Sequence, residues 1–118
     1  MSNSSTGPSE GKPDLGFLDD LADALRHAQQ GLDAYNKAAF PSWPPEFFAL
    51  ELSGEAGELA NNEKKIWKGR RIAHETLADE AADVLIALVN YANSRDIDLA
   101  SAFSDKMREI ERRRLAGE

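Results

Sequence analysis

Two short acidic pairs, Glu55-x-x-Glu58 and Glu80-x-x-Asp83, are the residues of this chain best suited to chemistry. Residues three apart on a helix share a face, with Cβ atoms roughly 5–6 Å apart, so each pair aims two carboxylates the same way. Two antiparallel helices would bring the pairs together. Carboxylates gathered out of bulk water repel one another and are costly to bury unpaired, so the cluster points to a divalent cation. An all-oxygen donor set favours Mg2+, with Mn2+ as a substitute. Around the first pair, Glu51, Glu55, Glu58, Asn62 and Lys65 recur at spacings of four and three. They form a polar seam about a quarter-turn from the apolar seam of Phe48, Leu52, Ala56, Leu59 and Ile66. The second pair has Asn90 one heptad beyond Asp83, and Ala87 between them leaves room for a cavity.

The elements that must position these groups follow from periodicity. Leu18, Leu21, Leu25, Ala28, Leu32 and Tyr35 mark a first amphipathic helix reaching Ala39. The run Phe40-Pro41-Ser42-Trp43-Pro44-Pro45 interrupts it, and its last proline opens a second helix running from Glu46 to Lys68, closed by Gly69-Arg70-Arg71. Thr76 is the expected N-cap of a third helix, with Leu77, Ala81, Val84, Leu85, Leu88 and Ala92 facing a core and His74 in the preceding loop. Ser94 to Ile97 end it. Asp98 caps a fourth helix that carries Leu99, Phe103, Met107 and Ile110 and finishes on Arg112-Arg113-Arg114. No segment alternates with a strand period. The reading is all-α: residues 1–14 as a disordered tail, and 15–118 as a four-helix bundle whose core is completed by dimerisation or tetramerisation.

Composition narrows the function classes. A formal charge of −7 over 118 residues argues against a nucleic-acid polymer as partner. The absence of cysteine excludes disulfides, thiolate metal sites and cysteine nucleophiles. No apolar run approaches the roughly 18 residues of a membrane span, and the N-terminus has no signal-peptide core, so a cytoplasmic protein without a membrane partner is expected. Neither His27 nor His74 has metal-ligand spacing.

The segment Leu52-Ser53-Gly54-Glu55-Ala56-Gly57-Glu58-Leu59-Ala60, followed by Lys64-Lys65, Lys68-Gly69 and then Asp79-Glu80-Ala81-Ala82-Asp83-Val84-Leu85, resembles the MazG-like, all-alpha nucleoside triphosphate pyrophosphatase superfamily. The likeness runs from about Ala38 to Arg113. It implies that Glu55, Glu58, Glu80 and Asp83 hold Mg2+ on a nucleoside triphosphate, cleaved to monophosphate and pyrophosphate in nucleotide pool control or house-cleaning. It also places a lysine and an arginine of the last helix near the substrate, which Lys106 and Arg113 match. Lys65 and Lys68 are further phosphate candidates by their nearness to the acids. Phe40 and Trp43 can stack on a base, and Asn36 and Asn90 can read a base edge or ribose. Trp67 belongs to the core or an interface. The chain departs at Gly54 from one version of the family pattern, in which members with a Glu-Glu-x-x-Glu block carry an extra acid. A general base must then come from the four ligands, the metal's own water or Glu51.

Two alternatives compete. A di-iron carboxylate bundle would need Glu-x-x-His pairs, and this chain has acids where those histidines would stand. A non-catalytic helical interaction module would leave the acids solvated, and Gly54 keeps open its variant, a nucleotide-binding module with a degraded site.

Overall fold

The computed structural model describes residues 13–118; most of the tail reading therefore lies outside the described residues. Four helices account for most of them, α1 (Phe17–Ala39), α2 (Pro45–Trp67), α3 (His74–Ser94) and α4 (Leu99–Leu115), and no strand occurs among the described residues. The fold is all-α, as the periodicity predicts.

The turns explain the helix limits. Pro45 opens α2, where its missing N–H would have no intrahelical partner in any case. α2 ends in a Schellman turn: Gly69 takes a φ of 92°, its N–H donates to the Ile66 carbonyl, and the Arg70 N–H donates to the Lys65 carbonyl. α3 ends the same way with a non-glycine residue in the left-handed position, Asp96 at φ 55°, where the Ile97 N–H reaches the Ala92 carbonyl at 2.8 Å. Asp98 caps α4, accepting from the Ala100 N–H at 3.0 Å. Thr76 does not cap α3. The helix begins two residues earlier, at His74, after Ala73 in extended conformation and without a side-chain cap, so His74 is helical and not in the loop.

α2 and α3 pack as a hairpin, and α1 packs on both α3 and α4. Side-chain bonds fix the directions. Gln29 meets Asn93 and Asn36 meets Asn90, so α1 runs antiparallel to α3. Arg26 meets Asp98 and Ser101 while Gln29 meets Leu99, so α1 is also antiparallel to α4. It follows that α4 continues in the sense of α3 along the N-terminal half of α1 and does not double back over the α2–α3 hairpin.

Gln29 is the buried polar residue at this junction. Its Nε2 donates to Asn93 Oδ1 and to the Ile97 carbonyl (3.1 and 2.8 Å), and its Oε1 accepts from the Leu99 N–H at 2.9 Å. Asn93 Nδ2 returns a bond to the Gln29 carbonyl. One side chain thus satisfies both the end of α3 and the start of α4, where backbone groups lack helical partners.

The apolar core within one chain is thin: Leu18, Ala87, Val89, Ala92 and Ala100 are buried, and no large side chain is fully enclosed. Several residues expected in the core are exposed. Ala28 is exposed while its neighbour Gln29 is buried, Ala56 and Ala81 are exposed, and Leu85, Leu88, Phe103 and Ile110 are exposed because none of the four helices covers their faces. Trp67 is 85% exposed.

Candidate metal centre and nucleotide pocket

The α2–α3 hairpin turns its acids toward one another. Glu55, Glu80 and Asp83 each place a carboxylate oxygen within 4.8 Å of the others, and all three are half-buried. Glu58 is more exposed, yet it acts on Glu80 across the helix interface. Partial burial, the Asp83 carboxylate, and then Glu58 and Glu80 raise the Glu55 carboxyl above its usual range. Partial burial and Glu58, followed by Asp83, raise Glu80, opposed by the Asn62 amide, whose Nδ2 donates to Glu80 Oε1 at 3.2 Å. No basic side chain is among the leading causes of either shift. An all-carboxylate set with perturbed acids and no cation of its own fits a hard divalent ion of the Mg2+ type.

A recess of about 180 Å³ opens beside the acids, lined by Glu51, Glu55, Asp83, Ile86, Ala87 and Asn90. Asn90 also lines a larger pocket of about 350 Å³. There the C-terminal end of α1, the proline-rich turn and the end of α3 meet, and Phe40, Trp43 and Phe48 supply the apolar wall. Trp43 stacks on Phe47 with ring centroids 4.5 Å apart, and Phe40 contacts Tyr35 edge-on. Phe40 and Trp43 remain about half exposed, so each offers ring surface. Asn36 Nδ2 donates to Asn90 Oδ1 at 2.6 Å, fixing the amide that separates the two pockets.

The structure therefore brings together Glu55, Glu80 and Asp83 with Glu58 beside them, and gathers Phe40, Trp43 and Asn90 with Asn36. Lys65, Lys68, Lys106 and Arg113 line neither pocket. Lys106 and Arg113 are on α4, both paired with Glu109 (2.7 and 3.2 Å). Asn93, Ser94, Asp33 and Lys37, which also line the larger pocket, escaped the sequence reading. The seven-residue step from Gln29 to Asn36, mirrored by the amides of Asn90 and Asn93, was the available signal.

A family model for the MazG nucleotide pyrophosphohydrolase domain matches residues 44–115, from the start of α2 to the end of α4, and so includes all four acids. No curated protein and no solved structure gives a significant match. With a match across more than half of its length, centred on the two acidic blocks that form the cluster, the chain belongs to the MazG nucleotide pyrophosphohydrolase domain family.

Proposed function

We propose that this protein is a Mg2+-dependent nucleoside triphosphate pyrophosphohydrolase, converting an NTP or dNTP to the monophosphate and pyrophosphate in nucleotide pool control. The observation that carries the reading is the placement of an acidic recess and a ring-walled pocket on either side of Asn90. A nucleotide has the matching division, with a polyphosphate at one end and an aromatic base at the other.

Glu55, Glu58, Glu80 and Asp83 would hold the cation, which when bound offsets phosphate charge and favours ionisation of a coordinated water. Phe40 and Trp43 would take the base face, and Asn36 and Asn90 a polar edge of the base or ribose. Glu51 lines the recess next to Glu55 and Asp83 without belonging to the tight cluster, so it is the carboxylate placed to receive a proton from the attacking water. Gly54, where members with a Glu-Glu-x-x-Glu block carry an acid, leaves this role to a residue one turn away. The functional unit is a homodimer or homotetramer, because one chain leaves its large apolar side chains uncovered.

A nucleotide panel with Mg2+, read out for pyrophosphate, tests the activity. The Glu55→Ala/Asp83→Ala variant should lose Mg2+-dependent turnover and keep its helix content. Release of pyrophosphate at the parent rate by that variant would refute the site.

A further inference from the structure

The pocket at the end of α1 has an edge that its aromatic wall does not account for. Among the lining residues, Asp33 is the one acid and Lys37 the one cation. Lys37 Nζ donates to Asp33 Oδ2 at 2.7 Å, which leaves the second carboxylate oxygen, Oδ1, free among the described residues. The two stand one turn apart on α1, and Asn36 and Phe40 fall within about 100° of the same line, so an ion pair, an amide and a ring sit side by side. Other polar groups of the pocket are committed. Asn93 is bonded to Gln29 through both atoms of its amide, the Ser94 hydroxyl donates to the Tyr91 carbonyl at 2.6 Å, and Asn36 holds Asn90. The side chains of Asp33 and Lys37 are 43% and 76% exposed, and such a pair contributes little to stability. What it presents to the pocket is a chemical pattern, an ammonium donor beside a carboxylate acceptor.

An ionised carboxylate accepts hydrogen bonds and cannot give them, so a base edge that meets it must carry N–H groups. Guanine has two adjacent ones, N1–H and the 2-amine, with O6 next to them as an acceptor for an ammonium. Uracil and thymine set a single N–H between two carbonyl oxygens, and cytosine and adenine set a ring-nitrogen lone pair beside their amine. Each of these would aim a lone pair at the carboxylate and leave polar groups unpaired. Among the common bases, guanine is the one that complements both residues. The reach agrees. Asn36 meets Asn90, two turns or about 10 Å along α3 from Asp83, and Asp33 is one turn further, about 15 Å from the acids along the helices. The edge of guanine that carries O6, N1–H and the amine is the side far from the sugar, so a nucleotide with its phosphates at the acids presents that edge at this end.

We infer that the Asp33–Lys37 pair selects guanine, the carboxylate receiving N1–H and the 2-amine and the ammonium donating to O6, so that the preferred substrate is a guanine nucleoside triphosphate. The inference rests on the proposed pyrophosphohydrolase reading for the triphosphate and not for the base. Lys37 keeps its bond to Asp33 throughout, since each carboxylate oxygen accepts two hydrogen bonds. Phe40 and Trp43 take the ring face, and Asn36 and Asn90 are left to the ribose side. Both selecting residues precede the block 44–115 that the family model matches, so the choice of base belongs to α1 and is separate from the acidic cluster.

Two experiments test it. In the first, pyrophosphate release is compared across bases at fixed Mg2+. The kcat/KM for dGTP should exceed that for dITP, which lacks only the 2-amine, by about tenfold, the effect of one bond to a charged group, and should exceed those for dATP, dCTP and dTTP by more. Asp33→Asn turns one acceptor into a donor, and xanthine has an oxygen where guanine has the 2-amine. The variant should therefore lose on dGTP and gain on dXTP, their ratio shifting by about a hundredfold, a tenfold change on each side. Misfolding cannot produce a gain on dXTP. Equal kcat/KM across the bases, or an unchanged ratio in Asp33→Asn, would overturn the inference and leave the reaction standing. The second experiment does not depend on catalysis or metal. By calorimetry, deoxyguanosine should bind the parent about tenfold more tightly than deoxyinosine, and the two should bind Asp33→Ala equally. Deoxyguanosine binding no tighter than deoxyinosine would overturn the selection even in an active enzyme. The expected preference in a protein that releases no pyrophosphate from any triphosphate would support the base assignment and refute the proposed reaction.

Discussion

Replacing Gln29 by alanine removes the junction between α1, α3 and α4 at a single atom group. The wild-type amide makes three bonds of 2.8–3.1 Å from a buried position, to Asn93 Oδ1, the Ile97 carbonyl and the Leu99 N–H. Each net bond contributes about 0.5–1.5 kcal/mol, and a polar partner left unsatisfied and partly buried costs about 1–3 kcal/mol. Water reaches some of these groups after truncation, so the low end applies to most of them, and the total loss is about 2–4 kcal/mol. At about 4–8 °C per kcal/mol for a domain near 100 residues, the melting temperature falls by roughly 10–25 °C. Thermal and urea unfolding at fixed protein concentration measure it, since an oligomer's stability depends on concentration. Gln29→Glu provides a second test: it keeps an acceptor for Leu99 but sets an ionised carboxylate against the Asn93 and Ile97 oxygens, so at neutral pH it should destabilise at least as much as alanine. A loss below about 1 kcal/mol for Gln29→Ala would refute the claim that this side chain joins the helices.

Metal-free protein should gain stability as the pH falls from neutral toward the raised values of Glu55 and Glu80, because the folded state takes up protons there before the unfolded chain does at 4.5. The gain ends at lower pH, where the depressed Asp98, Glu109 and Glu111 carboxyls protonate and their stabilisation is lost. Mg2+ should raise the melting temperature more at pH 7 than at pH 5, and an equal rise would contradict a carboxylate site. Glu51→Gln should lower turnover about a hundredfold or more if Glu51 accepts the water proton, with Mg2+ affinity little changed by calorimetry. Asp96→Gly, at φ 55°, should stabilise by about 0.5–1 kcal/mol because glycine adopts the left-handed turn without Cβ strain. A drop in melting temperature would contradict that account.

The helix types and most of their limits were legible because apolar spacing, Pro45, Gly69 and Asp98 are local signals. The start of α3 was not, because Ala73 enters the helix with no side-chain cap for a sequence reading to find. The convergence of acids on the hairpin follows from three-residue spacing on two helices joined by a short turn. Burial was the weaker part of the reading. Periodicity identifies an apolar face on α4 at Phe103 and Ile110, and it contains no information on whether the covering surface belongs to the same chain. The path of α4 is set by Gln29, a polar residue beside a predicted stripe. For the same reason Lys106 and Arg113 could be matched to a family pattern while their pairing with Glu109 stayed hidden.

Asn90 forms part of both cavities, and its amide is anchored by Asn36 from the opposite helix. This shared wall makes the cleft a ruler. On the proposed reading, a polyphosphate without a base would fill the acidic half and leave the rings untouched, and a free base or nucleoside would occupy the aromatic half without reaching the carboxylates. Only a molecule long enough to bridge the amide would then engage both ends, so selection by length would rest on one side chain.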